Sequence, residues 1–251
     1  METMKIRISA LSYSNTFPFV YGLEKKLRSN VEKINFEVPA VSAMRFRDGE
    51  VDVALVPVGA LIGFDSDYQI ITDFCIGSRK EVKTVSLYSN VVIDEIQTIF
   101  LDTDSMTSVA LVKILAKFFW KISPNFIPLK PDYQVKMGEA VLLIGDKTFG
   151  KSSQYHFTTD LAFEWNKFTN LPFVFAVWVS KPNISMGFID DLNKSLEYGL
   201  THLSEVQTYF DLPVSAEEYL DYLTKYLDFE LDVQKKEAIE LFQTYQGKLL
   251  E

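Results

Sequence analysis

The chain has 251 residues, of which 47% are hydrophobic and 24% are charged, and its formal net charge is −9. This composition is typical of a globular protein with one large or two small domains, and it excludes a disordered or fibrous chain. The acidic balance and the lack of a basic stripe argue against nucleic acid as a partner. The single cysteine, Cys75, excludes an internal disulfide and a cysteine-rich zinc site.

The N-terminal residues 1–7 lead straight into a short amphipathic segment and lack the apolar stretch of a signal peptide. The longest apolar runs, such as residues 171–179, fall far short of the ~20 residues that a membrane helix needs. We therefore expect a soluble cytoplasmic protein with no membrane partner.

Strand-like and helix-like segments alternate along the first half of the chain. Alternating or continuous apolar runs predict strands at residues 6–11, 35–40, 51–57, 68–76 and 84–88. Helical spacing of apolar residues predicts helices at residues 18–27, 41–48 and 58–63. This alternation is typical of βαβ units and predicts a mainly parallel sheet.

The same pattern restarts at Thr98 and then becomes helical. It predicts strands at residues 98–102, 126–129, 140–144 and 171–179, and helices at 105–120, 160–168, 186–203, 216–227 and 233–249. No flexible Gly/Ser linker separates the two halves. Two domains joined by more than one crossing strand would explain this, with the crossings near residues 83–88 and 172–179.

A polar cluster, Ser12-Tyr13-Ser14-Asn15-Thr16, lies between the first strand and the first helix. The end of a strand followed by a helix is a natural place to hold a small polar ligand. Ser, Asn and Thr are also favoured in ordinary turns and helix caps. Both interpretations of this stretch stay open on local grounds.

A second polar cluster, residues 102–109, lies between another strand and helix. Ser105 can cap that helix, and the first turn offers free backbone N–H groups with the hydroxyls of Thr107 and Ser108. Such a helix N-terminus is suited to binding an anion. The alternative is a hydroxyl-rich cap without a ligand.

Two further strand ends carry candidate residues. Gly145 follows a buried strand and would let a ligand approach the backbone, and Asp146 could act as a base, an orienting acceptor or a cap. Thr84 lies beside the first proposed crossing, where a cleft would form. No nucleotide-binding, metal-binding or nucleophile-elbow motif is present, so the sequence predicts no cofactor and no metal.

With these segments placed, the chain resembles the chorismate dehydratases of the futalosine route to menaquinone. Over about residues 5–180, short motifs follow the order of that family: Ser12-Tyr13-x-Asn15-Thr16-x-Pro18, Asp52-Val53-Ala54-Leu55-Val56-Pro57, Cys75-Ile76-Gly77-Ser78, Val82-x-Thr84-Val85, Asp102-x-x-Ser105-x-Thr107-Ser108, Leu143-Ile144-Gly145-Asp146, Asp160-Leu161-x-x-x-Trp165 and Leu171-Pro172-Phe173-Val174-Phe175-Ala176-x-Trp178. One such motif is weak evidence for a family, but a series of motifs in the same order is specific evidence.

The resemblance implies an α/β fold of the type II periplasmic-binding-protein kind, with two α/β lobes joined by two crossing strands and the ligand between them. It implies a first lobe of residues 1–85 and 177–251, with the helical C-terminal tail packed there, and a second lobe of residues 86–176. The oligomeric state stays open.

The resemblance also implies a hydro-lyase that converts the dicarboxylate chorismate to 3-[(1-carboxyvinyl)oxy]benzoate and water. By the same resemblance, Asn15 and Thr84 are the catalytic candidates. The expected substrate-binding residues are Ser12, Tyr13, Pro57, Val58, Ser78, Ser105, Met106, Thr107, Ser108, Gly145 and Asp146.

Two departures from the family pattern stand out. The family often has Arg at the position of Phe17, and Ser at that of Thr84. A sister family that makes 1,4-dihydroxy-6-naphthoate has a catalytic His where this chain has Gly145, which favours the dehydratase. A non-enzymatic cytoplasmic protein that binds small anions is the alternative from another functional class.

Overall fold

The computed structural model describes residues 5–27, 31–64, 67–131 and 133–251. The first four residues, which precede the first predicted strand, lie outside these ranges. The described strands are β1 (Ile6–Leu11), β2 (Val31–Glu37), β3 (Val53–Pro57), β4 (Gln69–Ser78), β5 (Val85–Ser89), β6 (Thr98–Leu101), β7 (Asn125–Pro128), β8 (Glu139–Ile144), β9 (Phe157–Asp160), β10 (Phe173–Ser180) and β11 (Asp228–Glu230).

The α-helices in these ranges are α1 (Phe17–Lys26), α2 (Pro39–Arg47), α3 (Met106–Ile114), α4 (Leu161–Thr169), α5 (Met186–Thr201), α6 (Leu203–Tyr209), α7 (Ala216–Asp221) and α8 (Val233–Leu250). Wider π-type turns extend α3 through Leu115–Trp120 and α7 through Tyr222–Tyr226. Short 3-10 turns include Ser14–Thr16, Val58–Gly63 and Gly145–Thr148. No helix in the described ranges is both long enough and apolar enough to cross a bilayer.

The first sheet has the strand order β11-β4-β10-β3-β1-β2. β1 lies between β2 and β3 and is parallel to both. All five residues of β3 are buried, as expected for a central strand whose two faces are both covered by other elements. β10 lies between β3 and β4 and is antiparallel to both.

The second sheet has the strand order β7-β6-β8-β5-β9. β6 is parallel to β7 and β8, whereas β5 is antiparallel to β8 and β9. The prediction of mainly parallel sheets is therefore wrong for the strands around β5 and β10. Each of these two strands follows a segment of the other lobe rather than a crossover helix on its own sheet, so its direction is not constrained to be parallel. Alternation along the sequence does not reveal which sheet the preceding strand occupies.

The chain passes twice between the sheets. It leaves the first sheet after Ser78 and enters the second at Val85, and it returns between α4 and Phe173. We call the first sheet with its helices the first lobe and the second sheet with its helices the second lobe. At the return crossing, Phe173 already pairs with Ser78 of the first sheet. The predicted lobe boundaries at residues 85/86 and 176/177 stay a prediction.

The C-terminal helices α5 and α8 pack mainly against elements of the first sheet and the helices beside it. α5 packs against α1 and β4, and α8 packs against β10 and the Val58–Gly63 turn, with a further contact to α3 of the second lobe. Ser185, Ser215 and Asp232 cap α5, α7 and α8, each accepting a hydrogen bond from the backbone N–H three residues later. This arrangement brings the turn after α7 to the boundary between the lobes.

Candidate functional site

A small cavity of about 40 Å³ lies between the two lobes. The sequence-predicted residues that line it are Tyr13, Asn15, Pro57, Thr84, Ser105, Ser108 and Gly145. Residues that the sequence did not mark as site candidates complete the wall: Leu11, Pro39, Ile76, Val82, Val85, Ile144, Phe175 and Ala176. All eight of these residues are apolar, so a few polar groups face a largely apolar space, as is usual for small-molecule sites.

Asn15 and Thr84 form the polar wall, and Tyr222, a residue that sequence analysis missed, contacts Thr84 from outside the cavity lining. The Thr84 hydroxyl lies 2.7 Å from the Tyr222 hydroxyl, and both residues are buried. Burial raises the pKa of Tyr222, and hydrogen bonds with Thr84 and Asn15 oppose that rise, so the phenol is neutral at pH 7. Asn15 Oδ1 is buried and has no hydrogen-bond partner among the described residues. An orphan acceptor at a cavity wall is free to meet a ligand donor.

Tyr13 and Gly145 close the cavity from opposite lobes. Gly145 has a φ of +58°, and a β-carbon built on it would lie 2.8 Å from the Tyr13 ring. The Tyr13 hydroxyl donates to Asp104 of the second lobe at 3.2 Å. Burial raises the pKa of Tyr13, and the nearby carboxylates of Asp104 and Asp102 raise it further, which keeps this donor protonated.

The N-terminus of α3 reaches the cavity through Ser105 and Ser108. The Ser105 side chain accepts from the backbone N–H of Ser108 at 3.3 Å, which makes it the N-cap. The hydroxyl of Thr107 is occupied elsewhere, since it accepts from Gly59 N–H at 2.9 Å and donates to the Phe175 carbonyl at 3.0 Å. The predicted cap is confirmed, and Thr107 links the lobes.

Five other predicted residues lie outside the cavity wall. Ser12 is exposed, Val58 is buried within its turn, and the Ser78 hydroxyl donates to the Glu81 carbonyl. Met106 is 45% exposed and lines a different groove on the far side of α3. Asp146 accepts hydrogen bonds from the backbone N–H and hydroxyl of Ser14, and thereby joins the lobes. The roles of all predicted residues toward a ligand stay a prediction.

Phe17 contributes no side chain to the cavity wall described above. Its ring stacks on Phe210 with centroids 4.3 Å apart and lies 6.2 Å from the ring of Tyr219. At this position, where the resembled family often has Arg, the side chain is packed against the C-terminal helices.

Two α/β lobes joined by two crossings around a cleft define the periplasmic-binding-protein-like class of folds. A crystal structure from Archaeoglobus fulgidus covers 100% of both chains with a TM-score of 0.78 at 14% identity. An ABC transporter structure from Parabacteroides distasonis covers 98% of this chain and 93% of its own, with a TM-score of 0.65 at 14% identity.

A Candida albicans protein, described as having the generic periplasmic-binding-protein fold, covers 98% of this chain and 94% of its own with a TM-score of 0.59 at 14% identity. These likenesses show the fold alone, and the predicted fold class is confirmed.

The chain belongs to the menaquinone biosynthesis family, whose sequence model matches residues 6–248. A curated relative from Thermus thermophilus, named chorismate dehydratase, is 26% identical over 225 residues, covering 77% of each protein. The family predicted from the ordered motifs is confirmed.

Proposed function

We propose that this protein is a chorismate dehydratase, a hydro-lyase that converts chorismate to 3-[(1-carboxyvinyl)oxy]benzoate and water. Membership of the menaquinone biosynthesis family and the name of the Thermus relative support the proposal. The observation that carries it is the unpartnered, buried Asn15 Oδ1 beside the Thr84 hydroxyl at the cleft. These are the two residues that the motif resemblance marks as catalytic.

The proposed reaction removes a ring hydroxyl and a ring proton, and the ring becomes aromatic. Aromatic stabilisation favours the product, so the protein mainly has to orient the substrate, exclude water and stabilise developing charge. A closed, largely apolar cleft with a few fixed hydrogen-bonding groups suits these tasks. Asn15 and Thr84 would contact the polar groups of the substrate.

Neutral groups would hold the two carboxylates of chorismate. The described residues of the cavity wall include no lysine or arginine, and Lys147 nearby is paired with Asp102 at 2.8 Å and with Asp104 at 2.6 Å. The first turn of α3, with Ser105 and Ser108, would hold one carboxylate through N–H and hydroxyl donors. The hydroxyl-bearing wall of the first lobe would hold the other.

The test is to mix purified protein with chorismate and follow the loss of the diene and the appearance of the aromatic ether. Turnover supports the proposal. Binding without turnover would favour a non-enzymatic binding protein, and neither binding nor turnover would point to the naphthoate synthase reaction.

The variant Asn15→Ala should lower kcat/KM by about 10²–10³-fold, the usual loss when one group that stabilises the transition state is removed. Its unfolding transition should stay close to that of the parent protein, because Oδ1 makes no hydrogen bond within the described residues. Asn90→Ala, which alters an asparagine of the second lobe outside the cavity wall, is the matched control. Unchanged turnover in Asn15→Ala would rule out its catalytic role.

The proposed elimination needs neither a metal nor a cofactor, as the sequence predicts. Dialysis against EDTA should leave turnover unchanged; activity lost on dialysis and restored by a divalent ion would contradict this expectation. The cytoplasmic location stays a prediction.

A further inference from the structure

Tyr222 lies immediately after α7, in a segment that the motif resemblance does not cover. The residue is 1% exposed, and its ring packs edge-on against Phe149 with centroids 5.7 Å apart. Its hydroxyl is 2.7 Å from the hydroxyl of Thr84. A buried phenol in contact with Thr84 of the polar wall determines how that residue directs its hydrogen.

The donors and acceptors of this group can be counted. Asn15 Oδ1 has no hydrogen-bond partner among the described residues, so it does not accept the hydrogen of the Tyr222 hydroxyl. The hydrogen-bond acceptor for that phenol in the described ranges is the Thr84 hydroxyl. Tyr222 is buried, and a buried hydroxyl hydrogen left without an acceptor is costly, so Tyr222 donates to Thr84.

The Tyr222 hydroxyl has one hydrogen, and Thr84 Oγ1 is the acceptor within reach. If Thr84 accepts that hydrogen, its own hydrogen has to point elsewhere, and Thr84 lines the cavity. The chain of donation runs from Tyr222 to Thr84 and from Thr84 into the cleft.

We propose that Tyr222 is a positioning residue that makes Thr84 a donor toward the bound molecule, beside the acceptor that Asn15 Oδ1 presents. The ligand must then present a hydrogen-bond donor to Asn15 and an acceptor oxygen to Thr84. This assignment of donor and acceptor rests on the proposed function. It places the ring hydroxyl of chorismate at Asn15 and a carboxylate or ether oxygen at Thr84.

Tyr222→Phe tests the proposal because it removes one oxygen and keeps the ring that packs on Phe149. Without the phenol, the Thr84 hydroxyl can rotate. The turnover number should fall by about 10–100-fold, less than the loss expected for a group that touches the reacting atoms, and KM should change by less than about 3-fold. Tyr88→Phe, which removes a buried phenol oxygen of the second lobe that donates to the Thr148 carbonyl, is the matched control.

A double-mutant cycle separates positioning from a merely structural role. Once Thr84→Val has removed the hydroxyl, adding Tyr222→Phe should lower kcat by less than about 3-fold more, because both changes interrupt the same chain of donation. Thr84→Ser keeps the hydroxyl, so the full Tyr222→Phe loss should return on that background. If Tyr222→Phe lowers kcat by the same factor in the Thr84→Val background as in the parent protein, the proposal is overturned.

The cycle also separates this inference from the proposed function. A parent protein that does not turn over chorismate overturns the dehydratase assignment alone. The parent protein, Tyr222→Phe, Thr84→Val and the double variant of these two changes are then compared by urea unfolding. The Tyr222–Thr84 hydrogen bond predicts that the two losses of unfolding free energy do not add up in the double variant. Additive losses would overturn the positioning role whatever the substrate.

Discussion

At the scale of single residues, Gly145 and Tyr13 decide the shape of the cleft. The sequence predicts that Gly145 would let a ligand approach the backbone. In the structure the approaching group is the Tyr13 ring, which leaves no room for a β-carbon, and the φ of +58° also disfavours any side chain. One glycine therefore meets both a conformational and a steric requirement.

Gly145→Ala should lower the free energy of unfolding by about 2–3 kcal/mol, because backbone strain and a clash with Tyr13 add together. Gly150→Ala is the matched control, since Gly150 has a φ of +71° and no atom within 4 Å of the place a β-carbon would take. Gly150→Ala should lower the free energy of unfolding only by the backbone strain, which is about 1 kcal/mol. Equal losses in urea unfolding of the two variants would contradict the role of the Tyr13 contact.

Arg7 and Asp52 join the starts of β1 and β3. The guanidinium lies 2.8 Å from the Asp52 carboxylate, which also accepts the Arg7 backbone N–H at 2.9 Å. Burial alone would raise the pKa of Asp52, but the hydrogen bonds from Arg7 outweigh burial and hold that pKa below its usual value. A carboxyl group with a lowered folded-state pKa stabilises the protein above about pH 4, and this contribution is lost as the pH falls through the lowered pKa.

Asp52→Asn should therefore be less stable than the parent protein at pH 7, by roughly 0.5–1 kcal/mol for a half-exposed pair. The difference should shrink as the pH falls below about 4, because the parent carboxylate becomes protonated. Urea unfolding at several pH values measures this, with Asp94→Asn, at an exposed carboxylate, as control. A difference that does not depend on pH would contradict the ionic contribution.

At the scale of elements, α1 and α5 cross with their backbones in contact. A β-carbon on Gly22 would lie 1.9 Å from the Ser195 carbonyl oxygen, and one on Gly199 would lie 1.7 Å from that of Pro18. Each helix thus needs a glycine where it meets the other. Since Asn15 lies in the turn that leads into α1, the crossing also sets the position of the candidate site.

Gly22→Ala should force the helices apart and lower the free energy of unfolding by about 1–3 kcal/mol or more, despite the higher helix propensity of alanine. Turnover should fall as well, because a shift of α1 would move the adjoining turn that holds Asn15. Gly187→Ala in α5 is the control, since nothing lies within 4 Å of its β-carbon position. Equal changes in the thermal unfolding of Gly22→Ala and Gly187→Ala would contradict the role of the helix contact.

At the scale of the whole molecule, contacts between the lobes hold the cleft nearly closed. Asp146 accepts from Ser14, Tyr13 donates to Asp104, and Thr107 accepts from Gly59. The cavity of about 40 Å³ is far smaller than the roughly 300–1,000 Å³ of usual small-molecule sites. We therefore expect the lobes to separate before a substrate enters.

Small-angle X-ray scattering tests this opening. A compact chain of 251 residues should have a radius of gyration of about 18 Å. The free protein should exceed the radius calculated from the closed structure, and saturation with 3-[(1-carboxyvinyl)oxy]benzoate should reduce it. Asp146→Ala should enlarge the free form further, unlike Asp221→Ala, which alters an ion pair on α7. Equal radii with and without bound product would contradict the opening.

The polar cluster after β1 shows which features of the site could be predicted from neighbouring residues. Its residues differ in their surroundings: Tyr13 and Asn15 line the cavity, whereas the Thr16 hydroxyl donates to the carbonyls of Leu11 and Tyr13 in an ordinary turn. The strand, the turn and the helix could be predicted because their signals are local. Which side chain faces the other lobe could not, because that depends on how the second lobe is placed.

The order of elements, the family and the candidates Asn15 and Thr84 could be predicted from the residues alone, because periodicity and short motifs lie within a few residues of each other. The contact between Tyr222 and Thr84 is visible only in the folded chain, since it spans 138 residues and the helical pattern around Tyr222 is that of ordinary core packing. The tertiary structure also decided the antiparallel direction of β5 and β10, because a strand that arrives from the other lobe carries no local sign of its direction.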